Sequence, residues 1–385
     1  MRFIHIADLH LGKRVHEFSM IEDQRVMLDA VLSLCEEERP NALVIAGDVY
    51  DKTIPSIEAI TLLEDFLIRV SQLDISVLLI AGNHDSGERL SFGGAFFKAH
   101  GLHVAGNFKG TVDKVSLADE EGTVHFHLLP FIRPSDARGY FPDVESVSDA
   151  VASALSTIDK SSGRHVLIAH QFVTAYGQDP LRSDSEVLQV GTVDTIDASI
   201  FEGFDYVALG HLHGRQKVGA GPIHYAGSPL YYSFSEVNQK KGALLVELTK
   251  DAAPLIRQLP LQGRHGMRRI KGTMEALIEE GRSLEQRDCP SRLDYLEVTL
   301  TDEGPVADPM NRLKAVYPNT MHLLFQRGTV ADDDRDTLLD EEDLANMQAD
   351  ELFGQFYEKQ TQQKLTDYQR EIVKKVTVMS QEAVK

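Results

Sequence analysis

The sequence predicts an α/β chain: a parallel sheet at the start, a β-rich half, a smaller α+β unit and a terminal helix. Three observations predict it. Continuous apolar runs alternate with amphipathic runs over residues 2–85, the pattern of a parallel sheet covered on both faces. From about 102 the apolar runs become short and closely spaced. After 262 a second, shorter alternation of strand and helix signals begins.

The elements follow in order. RFIHIA reads as a strand, IEDQRVMLDAVLSLCEEE as an amphipathic helix and NALVIAG as a second strand. SIEAITLLEDFLIRVSQ, introduced by Pro55, is the second helix, and ISVLLIAG the third strand. LHVAGNF, GTVDKVSL and TVHFHLLPF read as strands of a meander, followed by a helix over 146–159. RHVLIAHQF ends in His170, and FDYVALGHLHGRQ ends in His211 and His213. PIHYAGSP and KGALLVEL complete a first domain over 1–262. The second, over 263–330, opens with QGRHGMRRIKG and carries a helix at 273–287, DYLEVTL, a helix around 308–316 and MHLLFQR. An acidic linker, 331–351, leads to a helical segment, 352–385. There Phe353, Phe356, Tyr357, Leu365, Tyr368, Ile372 and Val376 fall near one face.

A chain of 385 residues suits two or three domains. No apolar run is long enough to span a bilayer, and MRFIHIADLH lacks the pattern of a signal peptide. Two cysteines, Cys35 and Cys289, supply no disulfide framework, so a cytoplasmic location is expected. The net charge of −20 argues against a strong nucleic-acid surface on this chain alone. Part of that charge is concentrated: residues 331–351 hold ten acidic residues and one arginine, the signature of a solvated linker.

Polar residues close the apolar strands: Asp8 and His10, Asp48, Asn83 and His84, His170, His211 and His213. All are expected at one edge of one sheet, the carboxyl edge where α/β sheets bind ligands. Each is an oxygen or imidazole ligand type. A lone D-x-H or H-x-H is ordinary surface chemistry; five such sites, each ending a strand, read as a metal centre. Two divalent ions about 3.5–4 Å apart need one bridging carboxylate. Asp48, at the central strand end, is the best placed.

DLHLG (8–12), GDVYD (47–51), GNHD (82–85), His170 and GHLHG (210–214) resemble the five motifs of the calcineurin-like metallophosphoesterases. DLHLGK, LPF at 129–131, YAGSPLYYSFSE at 225–236 and the overall length resemble the bacterial, SbcD-like branch of the double-strand-break repair nucleases. The resemblance implies a β-sandwich flanked by helices, a capping domain and a two-metal site, with Mn²⁺ the foremost ion. Carried over by motif, one ion falls to Asp8, His10, Asp48 and His213, the other to Asp48, Asn83, His170 and His211. His84 matches the catalytic histidine, which orients the phosphate and protonates the leaving oxygen, and Asp85 would hold its imidazole. The implied activity is 3′–5′ exonuclease action on duplex DNA and endonuclease action on single strands and hairpins. The implied assembly is a homodimer joined through the C-terminal helix to an SbcC-type coiled-coil ATPase, a heterotetramer at the nucleoid with no membrane contact. Such a partner would supply the basic groove that this acidic chain lacks.

Other residues carry weaker signals. His5 reads as a core histidine, His125 and His127 as structural, Lys13, His16 and Arg89 as loop residues. Phe92, Phe96 and Phe97 suit either a core or a dimer face. Asp51 has no assigned role. A phosphatase or cyclic-nucleotide phosphodiesterase on the same scaffold is the alternative function. GDVYDKT lacks the Asp-Arg-Gly continuation of protein phosphatases, and GNHD has Asp where those have Glu. A scaffold subunit with a decayed site is disfavoured because no expected ligand is missing.

Overall fold

The computed structural model describes residues 1–175, 180–186, 195–326, 350–354, 357 and 364–383. Strands Arg2–Ile6, Ala42–Ala46, Ser76–Ile80 and Leu102–Ala105 pair in parallel in that order. Gly242–Glu247 runs antiparallel beside the first strand, and Leu255–Pro260 extends the same sheet. Helices Ile21–Glu38 and Ile57–Ser71 cover one face. The second helix begins because the Ser56 hydroxyl accepts from the Ala59 amide at 3.3 Å, one of four otherwise unpaired donors. It buries Ala59, Leu62, Leu63, Phe66 and Val70, a three–four spacing that aims one stripe at the sheet.

The opposite face of this sheet meets a second six-stranded sheet. Its order is Gln216–Val218, Ile223–Tyr225, Tyr206–Gly210, Arg164–His170, Gly122–Leu129 and Asp113–Asp119. Between the layers Phe3 sits edge-on to Phe126 at 5.4 Å and to Tyr206 at 5.5 Å. Such pairs contribute about 0.5–1.5 kcal/mol each beyond their burial. The second sheet's outer face packs on helix Val147–Leu155, whose Ser146–Asp149 capping box fixes its start. The architecture is a mixed α/β sandwich flanked by helices.

One expectation is corrected here. The three strands read as a meander do not form one. Leu102–Ala105 joins the first sheet in parallel, and only Asp113–Asp119 and Gly122–Leu129 form a hairpin in the second. A four-residue strand with a histidine inside carries too little pattern to reveal its partner.

A third, wholly parallel sheet of Met267–Gly272, Tyr295–Leu300 and Thr320–Phe325 packs with helices Met274–Gln286 and Pro309–Val316. Asp23, buried on the first long helix, ties it to the sandwich. It accepts from the Tyr295 hydroxyl at 2.7 Å and the His265 amide at 2.8 Å. Residues 331–349 of the acidic stretch lie outside the described residues. So does Phe356 of the apolar face that follows. Asp367–Ala383 is helical and leaves Tyr368, Ile372 and Val376 exposed. Among the described residues, no helix is long and apolar enough to cross a membrane.

Candidate metal centre

The carboxyl ends of both sheets meet at one end of the sandwich. The first sheet contributes Asp8, His10, Asp48, Asn83 and His84 from loops after its first three strands. The second contributes His170 from a strand end and His211 and His213 from the loop after Gly210. The expectation of a single sheet edge is thereby corrected: the site straddles the two layers.

The loops are held by continued backbone pairing. Asp8 and His10 amides donate to the Gly47 and Asp48 carbonyls at 3.0 and 2.9 Å, so the DLHLG and GDVYD loops run side by side. Asp8, His10, Asp48 and His211 all have positive φ, between 44° and 104°. Non-glycine residues in that region cost about 1–3 kcal/mol each and persist where the surroundings over-determine them. Here the determinants are visible. Gln24, fully buried on the first helix, donates to the Leu9 and His10 carbonyls and accepts from the Gly12 amide. Asp8 accepts from the His211 amide at 2.9 Å, across the two sheets.

Two groups of donor atoms converge. In the first, His10 Nε2 faces His213 Nε2 at 3.1 Å, and Asp8 completes a set whose atoms lie within 4.8 Å of one another. In the second, Asn83 Oδ1 lies 3.1 Å from both His170 Nε2 and His211 Nδ1. Asp48 lies between the groups. Its Oδ2 is 3.3 Å from His170 Nε2 and 3.7 Å from His10 Nε2. His170 donates from Nδ1 to the Ala46 carbonyl at 2.8 Å, so in the neutral ring Nε2 presents a lone pair to two oxygens. Acceptors facing acceptors in a buried site need a cation between them.

The electrostatics express the same demand. Burial opposes charge on His170, but the Asp48 carboxylate outweighs it and raises the imidazole to about 9. Burial likewise opposes charge on Asp48, and His170 reverses it, holding the carboxyl well below its usual range. Asp8 is pushed upward, chiefly by burial, and His211 is lowered to about 3 by burial. A divalent cation among these groups would reverse this balance, favouring the neutral imidazole and the ionised carboxylates. The donor set of carboxylates, an amide oxygen and neutral imidazoles fits divalent metals.

His84 sits at the edge of this cluster. Its amide donates to Asp48 Oδ1 at 2.9 Å and its Nδ1 to the Asp51 carbonyl at 2.9 Å, which leaves Nε2 free of hydrogen bonds among the described residues. Asp85 does not hold that ring, contrary to expectation. Its carboxylate accepts from the Val49, Tyr50 and Gly82 amides at 3.1, 2.9 and 2.9 Å, so both oxygens are engaged by backbone. Asp85 joins the loops carrying Asp48 and Asn83. Asp51 supplies the carbonyl under His84, while its carboxylate pairs with Lys13 at 2.8 Å.

His5 hydrogen-bonds Tyr206 in the core, and His127 pairs with His165 at 3.0 Å. Phe92, Phe96 and Phe97 are exposed. Sequence reasoning missed the groups behind His213: Ser185, Glu186, Glu236 and Lys241. Glu236 ends the YAGSPLYYSFSE segment, but no spacing rule links it to a histidine 23 residues earlier.

Comparison with known proteins shows what the chain is similar to. Residues 1–215 match the family described as calcineurin-like phosphoesterase, and 264–361 one described as type 5 capsule protein repressor C-terminal domain. The chain is 34% identical over 330 residues to the SbcD component of the nuclease SbcCD from Staphylococcus epidermidis, covering 84% of this chain and 85% of that protein. A dimetal phosphatase from Danio rerio superposes with a TM-score of 0.39 at 12% identity, over 67% of this chain and 98% of that one. The chain belongs to the calcineurin-like phosphoesterase family.

Proposed function

We propose that this chain is the metal-dependent nuclease subunit of an SbcCD-type DNA repair complex, hydrolysing DNA phosphodiesters at this site. The observation that carries it is the convergence of two donor groups about Asp48, with the free Nε2 of His84 beside them. Relatedness across 84% of the chain to a component of a nuclease favours DNA as substrate. Asp8, His10, Asp48 and His213 would hold one divalent ion, and Asp48, Asn83, His170 and His211 the other; Mn²⁺ is the ion proposed. When bound, the ions acidify a water nucleophile and neutralise phosphoryl charge.

The chain's own residues supply the rest. His84, fixed through Nδ1 by the Asp51 carbonyl, presents Nε2 to the phosphate and, as the imidazolium, gives its Nε2 proton to the departing sugar oxygen, returning to the neutral Nδ1–H ring. Asp85 keeps the loops bearing Asp48 and Asn83 in register through three amides. Duplex 3′–5′ exonuclease and hairpin endonuclease action are proposed on family likeness. A homodimer would use the exposed Phe92 and Phe96, and an SbcC-type coiled-coil ATPase the exposed stripe of Tyr368, Ile372 and Val376. Comparing turnover of a short DNA duplex and of cyclic AMP in Mn²⁺ tests the reading. Turnover of cyclic AMP alone would move the protein to the small-molecule phosphodiesterases.

A further inference from the structure

Four histidines near the centre present Nε2 inward or toward substrate, and their outer nitrogens differ. His170 and His84 donate from Nδ1 to backbone carbonyls, and His10 Nδ1 is buried without a hydrogen-bond partner among the described residues, the Asp51 carboxylate lying 3.7 Å away. Of these four, only His213 has a carboxylate within hydrogen-bonding distance of Nδ1: Glu236, fully buried, with Oε1 at 3.2 Å. Ser185 joins the two: its Oγ lies 2.7 Å from His213 Nδ1, and its hydroxyl donates to Glu236 Oε1.

Every hydrogen bond to Glu236 comes from a donor, while the Glu186 carboxylate, itself holding the His213 amide, lies near it as a like charge. Oε2 receives the Lys241 ammonium at 2.6 Å and the Tyr232 amide at 3.2 Å. Lys241 Nζ also donates to the His213 carbonyl at 3.0 Å and to Ser228 Oγ at 2.8 Å. The arrangement therefore grips His213 at its ring and at its backbone. An acceptor-only partner at Nδ1 demands the Nδ1–H tautomer, which leaves the Nε2 lone pair aimed at His10 Nε2. Tyr232, whose amide Glu236 holds, stands edge-on to His10 at 5.6 Å and against His213 at 5.9 Å.

We propose that Glu236, anchored by Lys241, is a positioning residue that fixes the tautomer of His213 and sets the affinity of one metal position selectively. The position is the one formed by Asp8, His10, Asp48 and His213; the one containing Asn83, His170 and His211 is untouched by this network. The proposal rests on the metal-centre reading. A carboxylate behind a ligating imidazole raises its basicity, and loss of such a partner typically weakens metal binding about 10–100-fold.

The test is calorimetric titration of the full chain with Mn²⁺ alone. The wild type should bind two ions. Glu236→Gln should raise one dissociation constant about 10–100-fold and leave the other unchanged. The paired variant Glu236→Gln/Lys241→Gln, which leaves no unpaired buried charge, should do the same, and Ser185→Ala should weaken the same site less. In a His213→Ala background Glu236→Gln should have no further effect. Two ions bound equally well by wild type and the Glu236 variants overturn the proposal alone. So does equal weakening of both sites, or a full Glu236→Gln effect without His213. A wild type that binds no Mn²⁺ overturns the metal-centre reading and the proposal with it.

Discussion

Gly47 is the most exacting position in the site, because it combines a backbone requirement with a steric one. Its φ is +87°, and a Cβ there would lie 2.3 Å from His170 Nδ1 and 3.0 Å from the Gly82 Cα. His170 is fully buried and cannot swing outward. In Gly47→Ala the ring must retreat by roughly 1 Å to reach ordinary contact distance. That retreat disturbs its bond to Ala46 and its approach to Asp48 and Asn83. Left-handed backbone costs an L-residue about 1–2 kcal/mol. Overpacking adds about 1–3 kcal/mol, giving about 2–5 kcal/mol in all. At roughly 2–4 °C per kcal/mol for a unit of 150–250 residues, melting should fall by roughly 4–20 °C. Thermal melting with a parallel Mn²⁺ titration is the assay. We expect a folded, less stable protein that binds the His170-containing site poorly. A variant melting with the wild type and binding both ions equally well would refute the steric argument.

Other outcomes follow from separate parts of the molecule. Lys241→Ala leaves the buried Glu236 carboxylate uncompensated and should cost about 3–5 kcal/mol in denaturant unfolding. The buried histidines away from the metal centre should contribute less stability as pH falls below neutrality. Burial lowers His5 to about 3 and His127 and His224 to about 4, against 6.5 when unfolded. Between those values the unfolded chain binds more protons, so stability present at pH 7 is lost as pH falls from 6.5 toward 4. Melting temperatures across that range, with a flatter profile for His127→Gln, check it. Removing residues 340–385 should leave Mn²⁺ binding intact and abolish capture of the coiled-coil ATPase.

The sequence made much of the site legible because strand ends are legible. Runs such as ISVLLIAG are apolar enough to declare buried strands, so polar residues directly after them stand out. Parallel pairing then brings residues 8, 48 and 83 together without further information. What the sequence hid was long-range pairing. The split of ligands between two sheets depends on which layer each later strand joins, and Leu102–Ala105 has no pattern that decides it. Asp85 follows His84 directly, which suggests a side-chain bond, yet three backbone amides in two loops claim it first. Asp51 acts on His84 through its carbonyl, a group every residue has. Glu236 and Lys241 read as charges in a loop and become a buried pair only once Gly242–Glu247 pairs with the first strand.

The role of the centre is decided by cleavage of a labelled DNA hairpin by the purified chain in Mn²⁺, beside His84→Ala. Cleavage should stop on chelation and fall about 10²–10⁴-fold in the variant, while the variant still binds two ions. Cleavage by His84→Ala at the wild-type rate, or loss of its metal, would contradict the role assigned to the site.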